Sequence, residues 1–372
     1  MTISIDTDFE AGAVEVLALE GAKARLALPA DAPGPWRQWF YFRVRGAKGV
    51  PLELAFVNCA ASAYPEGWPG YRACYSEDLR DWRRVDTTYA DGVLTIRAIP
   101  AADEAFFAYF APYPLARSHA LLERTAAATG GTLLGLGRSV EGRPIEGIRL
   151  GSGPAPVWIL GRQHCGETMA SWWMEGALER LADPADAAAA DILKRATLSV
   201  VPIVNVDGAA RGYQRGNAAG IDLNRQWGGP DPVKAPEIAA LLAAMDATGC
   251  AVILDIHGDE SLPHVFIDGC DVDPEATPAQ IAGVEAFRQA LLAADDAFQT
   301  KVGYPVTYAG GEAPGMCTRA VPRRYGAVGV TLEMPFKDSL DRPDPVRGWS
   351  PAASMAMGRN TLVALQAVLA RQ

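Results

Sequence analysis

The sequence predicts an all-β sandwich over residues 1–114, followed over residues 115–372 by an α/β domain with a mixed central sheet flanked by helices. Three observations carry this reading. The first hundred residues are short alternating runs separated by turn signals, with no helical periodicity. Beyond residue 115, short apolar runs alternate with helical patterns. Three of those later runs lead directly into polar residues, namely His164 and Glu167, His257, and Glu333.

In the first unit the candidate strands are Val14 to Leu19, Ala24 to Leu28, Trp39 to Val44, Leu52 to Val57, Val93 to Ile96 and Phe106 to Phe110. Phe40, Phe42 and Val44 should point one way, and Trp39, Tyr41 and Arg43 the other. Turn signals such as Asp31-Ala-Pro-Gly34 and Pro65-Glu-Gly67 fall between strands. Trp36, Trp39, Trp68 and Trp82 are expected to pack between two sheets rather than form a carbohydrate platform. Phe110-Ala-Pro-Tyr-Pro114 reads as the linker, since two prolines in five residues interrupt strand pairing.

In the second unit Ser118 to Ala128 reads as a helix and Leu136 to Leu150 as a hairpin turning at Glu141-Gly142. Val157 to Leu160 is too short for a free-standing helix and suits a buried central strand. Gly161 ends it, His164-Cys-Gly-Glu167 follows, and Met169, Trp172, Trp173, Ala177 and Leu181 have helical spacing. Leu198 to Val204 is a second strand interrupted by Pro202. A long polar loop, Ala209 to Pro230, carries Arg211, Arg215, Asp222, Asn224 and Arg225, and such loops are commonly functional. A helix opens at Pro236, and Ala251 to Ile256 is a third strand with His257 just past its end. Another helix runs from Thr277-Pro278 to about Ala297. Val328 to Leu332 is a fourth strand, followed at once by Glu333, and Ser350-Pro351 starts a last helix.

Composition narrows the function. With 49% apolar and 21% charged residues among 372, the chain can bury a large core. A net charge of −10 argues against nucleic acid or an anionic membrane as partner. No apolar run approaches membrane-spanning length, and no signal peptide is expected from MTISIDTDFEAG. Six scattered cysteines without a CxxC pair are expected to be reduced thiols, which points to the cytoplasm.

If the strands preceding His164, His257 and Glu333 run in one direction, these residues converge on one crevice at the strand ends, where open α/β sheets bind ligands. His164, Glu167 and His257 then supply the two imidazoles and one carboxylate of a catalytic zinc site, one ion per chain, with a coordination place left for water. Asp222 suits a partner that orients a ligand imidazole. Asp255, just before His257, is expected to face the opposite side of its strand. Glu333 suits a general base acting on metal-acidified water. Arg225, with Asn224, suits a carboxylate clamp, and Arg215 suits stabilisation of a tetrahedral oxyanion. Cys165, between two proposed ligands, reads as a small turn residue, with a soft metal ligand as the alternative; His119 and His264 have no comparable setting.

The stretches GRQHCGET, NVDG, RGNAAGIDLNRQW, LDIHG and TLEMPF, in that order, resemble the zinc carboxypeptidases of the M14 type, and among them the cytosolic carboxypeptidase subfamily, here a bacterial-type member. A β-sandwich ending in a phrase like FAYFAPYP ahead of the catalytic domain is also that subfamily's arrangement. The resemblance implies a zinc-carboxypeptidase-like fold and hydrolysis of the C-terminal bond of a peptide or protein. It implies zinc on His164, Glu167 and His257, Glu333 as the catalytic glutamate, Arg215 on the oxyanion side, Asn224 and Arg225 on the terminal carboxylate, and Asp222 orienting a ligand. The subfamily usually has Pro where Cys165 stands, which bears on the turn's rigidity, redox sensitivity and metal affinity. Preference for a terminal glutamate would need a basic residue in the pocket, with Arg319, Arg323 and Arg324 as candidates. Tyr308 is a candidate to close over substrate. Two rivals stand beside this reading: an amidohydrolase of small N-acyl amino acids and a non-catalytic peptide-binding module. The sandwich and the long cleft-side loop favour peptides, and a binder would not need Glu333.

Overall fold

The computed structural model describes residues 2–305 and 314–372. Its first part holds β1 (Ser4–Asp6), β2 (Glu15–Glu20), β3 (Lys23–Ala27), β4 (Tyr41–Arg45), β5 (Leu52–Phe56), β6 (Cys74–Ser76), β7 (Arg83–Arg84), β8 (Asp86–Ala90), β9 (Val93–Ala98) and β10 (Glu104–Ala108). These make two five-stranded sheets, β1-β4-β10-β6-β7 and β2-β3-β5-β9-β8. Phe40, Phe42 and Val44 meet Leu26, Leu54, Phe56 and Ile96 of the facing sheet, all fully buried. Trp39, Trp68 and Trp82 are core residues and no platform. Strands β1, β6, β7 and β8 have no counterpart in the sequence reading, because they are very short or, like Asp86–Ala90, largely polar.

The second part holds α1 (Leu115–Thr129), β11 (Thr132–Arg138), β12 (Pro144–Leu150), β13 (Ala155–Gly161), α2 (Met169–Leu181), α3 (Ala187–Arg195), β14 (Ala196–Val201), α4 (Val206–Arg211), α5 (Pro236–Thr248), β15 (Val252–Asp259), β16 (Phe266–Gly269), α6 (Pro278–Ala294), α7 (Cys317–Tyr325), β17 (Val328–Pro335) and α8 (Pro351–Leu369). The sheet order is β11-β12-β14-β13-β15-β17-β16. The four central strands β14, β13, β15 and β17 are parallel, and the outer pairings are antiparallel. The chain goes from β13 to β14 on one side and then to β15 on the other. That reversal opens a crevice at the carboxyl ends of β13 and β15.

Alternation along the central strands feeds two apolar layers. Val157, Ile159, Val252, Leu254, Val328 and Val330 share one core with α2, α6, α8 and the sandwich, whereas Trp158, Leu160 and Ile253 pack with α5 and α7. Helix α2 is buried almost all round, not only along one stripe, because α8 covers its outer side. β15 and β17 run further than the apolar pattern indicated, so His257 and Glu333 are strand residues and not loop residues. The expected linker is buried, with Phe110 and Ala111 at 0% exposure and the Ala111 carbonyl accepting from Thr168 Oγ1 and Trp172 Nε1.

Sandwich and α/β part grip each other at defined points. The Arg84 guanidinium donates to the carbonyls of Arg72, Phe336, Arg347 and Trp349, and Tyr109 stacks on Phe336 at 4.5 Å. The carboxylate of Asp31 accepts the backbone N–H groups of Gln214, Arg215 and Gly216 at 2.8, 2.7 and 3.0 Å. Trp36 lies so close over Gly216 that a Cβ there would sit 2.9 Å from the ring, so a side chain would push the loop off the sandwich.

Burial of Asp31 outweighs these three bonds and raises its carboxyl pKa to about 6. The folded form holds its proton to higher pH than the unfolded chain does. The resulting stabilisation is full below about pH 4 and is lost as the pH rises through about 6. Relative to Asp31→Asn, the wild type is predicted to lose on the order of 3 kcal/mol of unfolding free energy between pH 4 and 7, measured by urea unfolding. A difference independent of pH contradicts this.

Candidate metal centre and catalytic cleft

The turn after β13 is shaped by Arg162. Its backbone sits at φ 54°, an unusual value for a residue other than glycine, and its buried guanidinium donates to the carbonyls of Cys165 and Tyr113. Cys165 points away from the crevice, and its thiol donates to the Tyr213 carbonyl at 3.2 Å. Burial pushes that thiol's pKa well up. The turn thereby aims His164 and Glu167 together at the crevice, while β15 delivers His257.

Their ligand atoms lie within 4.8 Å of one another. Glu167 Oε1 is 2.7 Å from His164 Nδ1, Glu167 Oε2 is 2.8 Å from His257 Nδ1, and the two Nδ1 atoms are 3.2 Å apart. Two ligands on a tetrahedral zinc at about 2.0–2.1 Å each stand roughly 3.3 Å apart, so this spacing fits the ion. The far nitrogens are fixed by carboxylates: His164 Nε2 lies 3.1 Å from Asp222 Oδ1, and His257 Nε2 lies 2.9 Å from Asp255 Oδ2. Both rings are thus held as Nε2–H donors with Nδ1 turned to the common point. Asp255 corrects the sequence reading. It stands two residues before His257, so strand alternation puts both on the same face. The backbone N–H of Gly258 donates to Glu167 Oε2 at 3.1 Å, and a Cβ on Gly258 would collide with the Met169 thioether.

Charge is graded across the cluster. Burial opposes ionisation of Glu167, but the two imidazoles overcome it and hold its pKa at about 2. Burial likewise opposes the His257 imidazolium, yet Asp255 and Glu167 hold its pKa well above the usual histidine range. Asp222 is buried too and is kept far below the usual carboxylate range by Arg215 and His164. Glu333 pairs in register with His257 on the neighbouring strand. Burial raises its pKa well above the ordinary value, against the pull of His257. Its Oε1 accepts from Tyr304 Oη at 3.1 Å, and Oε2 has no partner among the described residues.

A cavity of about 560 Å³ connects these groups, lined by His164, Glu167, Arg215, Asn224, Arg225, His257 and Glu333 among others. Arg215 donates from Nε to Asp222 Oδ2 at 2.9 Å and from Nη1 to Tyr64 Oη at 2.6 Å. Asn224 accepts the Cys317 N–H on Oδ1 at 2.8 Å, which leaves its NH₂ on the His257 side. Arg225 is half-buried at the wall. Arg319 is placed differently from expectation. Its guanidinium is buried behind the wall in a two-pronged pair with Asp268 at 2.8 and 2.7 Å, and Asp268 lines the cavity instead. Arg323 and Arg324 are paired with Asp273 and Asp246 and do not line the cavity. Tyr308 lies outside the described residues. His119 and His264 are not among the residues lining the cavity and are bound to Glu146 and Asp341. Sequence reasoning missed Asp31, Tyr64, Asp259, Glu260 and Tyr304. Only Asp259 had a visible signal, since it continues the alternation through Asp255 and His257.

Zinc takes neutral imidazole, so loading competes with the proton that Asp255 and Glu167 favour on His257. Calorimetric zinc titration at pH 7 is predicted to show release of about one proton or more per ion, read from the dependence on buffer ionisation enthalpy. Affinity is predicted to fall about tenfold per pH unit on acidification for each proton released. An enthalpy independent of buffer contradicts this.

Residues 5–110 match the family described as the cytosolic carboxypeptidase N-terminal domain, and residues 121–304 match the zinc carboxypeptidase family Peptidase_M14. A metallo-carboxypeptidase from Burkholderia cenocepacia is 38% identical with a TM-score of 0.96, over 99% of this chain and 100% of its own. A metallo-carboxypeptidase from Pseudomonas aeruginosa, solved in complex with (2-guanidinoethylmercapto)succinic acid, is 38% identical with a TM-score of 0.95, over 99% of each chain. Mouse cytosolic carboxypeptidase 1 is 26% identical over 73% of this chain, which spans only 27% of that relative's length. With a cleft of this geometry and relatives of this likeness over nearly its whole length, the chain belongs to the M14 zinc carboxypeptidases, on the branch that carries the cytosolic carboxypeptidase N-terminal domain.

Proposed function

We propose that this zinc carboxypeptidase removes the last residue of peptides or proteins with the following division of labour. His164, Glu167 and His257 hold the zinc, and Asp222 and Asp255 orient the two imidazoles. Bound there, zinc supplies Lewis acidity that polarises a carbonyl and lowers the pKa of water. Asn224 and Arg225 hold the substrate's terminal carboxylate through amide and guanidinium donors. This sets the scissile carbonyl toward Arg215, whose cation stabilises the oxyanion. Glu333 takes a proton from the attacking water and delivers it to the departing amine. The observation that carries this reading is Glu333 itself: a buried carboxylate whose Oε2 has no protein partner among the described residues, set beside His257 and lining the cavity.

The preference for a terminal glutamate that Arg319 would supply is, in this reading, held in check by Asp268, which neutralises that guanidinium and itself faces the cavity. The Pseudomonas relative's ligand, with a guanidino group on a dicarboxylic acid, suits a cleft offering both an acid and a carboxylate clamp. We place the enzyme in the cytoplasm, on the strength of six buried, unpaired cysteines and the naming of its animal relatives. No described helix is long and apolar enough to cross a membrane.

Mass spectrometry of a peptide panel differing only at the last residue tests these assignments. The wild type should release single terminal residues without favouring glutamate. Glu333→Gln should lower kcat at least about a thousandfold while keeping zinc and peptide binding; an active Glu333→Gln enzyme excludes it as the base. Asp268→Asn should raise kcat/KM for glutamate-ending over alanine-ending peptides by about tenfold or more, as Arg319 loses its competing carboxylate. An unchanged ranking removes Arg319 from specificity.

A further inference from the structure

The sandwich contributes a side chain to the catalytic cleft. Tyr64 lies between two short turns of the first unit, yet it lines the same cavity as His164, Glu167, Arg215 and Glu333. Its backbone is gripped on both sides by the buried side chain of Gln38: the Tyr64 N–H donates to Gln38 Oε1 at 3.2 Å, and Gln38 Nε2 donates to the Tyr64 carbonyl at 3.4 Å. Gln38 Nε2 is fixed in turn on Tyr109 Oη at 3.1 Å. The following turn is pressed against the end of β15, where a Cβ on Gly67 would stand 2.8 Å from the Glu260 carbonyl. The phenol is therefore held rigidly from the far side of the cleft.

Its bonding is one-sided. Arg215 Nη1 donates to Tyr64 Oη at 2.6 Å, while the tyrosine's own O–H has no acceptor among the described residues. Burial and the neighbouring Glu260 push the phenol pKa well above its ordinary value, so the group keeps its proton. A hydroxyl that accepts from a guanidinium becomes a stronger donor. Asp222 already occupies Nε and Nη2 of Arg215, so the tyrosine extends the reach of a cation largely committed elsewhere.

We propose that Tyr64 is a catalytic residue, whose hydroxyl donates, together with Arg215, to the scissile carbonyl oxygen as it becomes the oxyanion. No bond to Tyr64 forms or breaks, and its proton stays on the phenol throughout. The inference rests on the assignment of Arg215 to the oxyanion side.

Tyr64→Phe deletes the hydroxyl and little else. It should lower kcat by roughly 10- to 100-fold with KM changed less than about threefold, since a donor to the developing charge acts mainly in the transition state. A phosphonate analogue of a good peptide substrate should lose affinity by the same factor as kcat/KM, while the released product peptide binds as before. Zinc content and thermal midpoint should not move. If kcat stays within twofold of wild type, or phosphonate and product weaken alike, Tyr64 is not an oxyanion donor. If the zinc-loaded wild type cleaves no peptide, the assignment of Arg215 falls first and Tyr64 with it.

Discussion

The parallel pairing of β15 with its neighbours is the constraint on which the rest depends. It sets Gly161 opposite Ile256 and His257 opposite Glu333. A parallel register puts paired side chains on the same face, a few ångströms apart. A slip of one residue in β15 would turn His257, Asp255 and Asp259 to the opposite face together and would dismantle metal site, orienting carboxylate and cleft wall at once. The fully apolar flanks Val252 to Leu254 and Val328 to Val330 lock that register by packing against α2, α6 and α8 on one face and α5 and α7 on the other. Core and chemistry are in this sense the same construction.

Built on that register is a row of carboxylates alternating with imidazoles and a guanidinium that runs through the cleft: Asp255, His257, Glu167, His164, Asp222 and Arg215, each within hydrogen-bonding reach of the next. Buried charges are costly singly and tolerable when each is paired. The row ends at Tyr64, and Asp31 fixes the backbone of Arg215 from behind. The sandwich thus does more than support the α/β part from outside. It holds the arginine loop by its N–H groups and walls the cleft with Tyr64 and Glu66.

Much of this was legible in the sequence where chemistry and local pattern coincide. His164, Glu167, His257 and Glu333 follow apolar runs, and Asp222, Asn224 and Arg225 share one short segment, so a single inference about strand direction gathers them. What was not legible depends on partners distant in sequence. Arg319 reads as an available cation until Asp268, 51 residues earlier, is found against it. Asp31 sits in an ordinary turn, and nothing local marks it as the anchor of a loop nearly two hundred residues on. Asp255 was misjudged for a different reason: alternation alone places it beside His257, and the strand runs on through Asp259 rather than stopping at Ile256.

The zinc site requires two imidazoles to meet one ion through Nδ1, with Glu167 beside them and sulfur excluded. X-ray absorption at the zinc edge of the purified protein addresses this directly. One ion per chain, in a shell of nitrogen and oxygen only with two imidazoles at about 2.0–2.1 Å, is expected. A sulfur neighbour at about 2.3 Å, which would bring Cys165 into the site, or a shell with a single imidazole would contradict it.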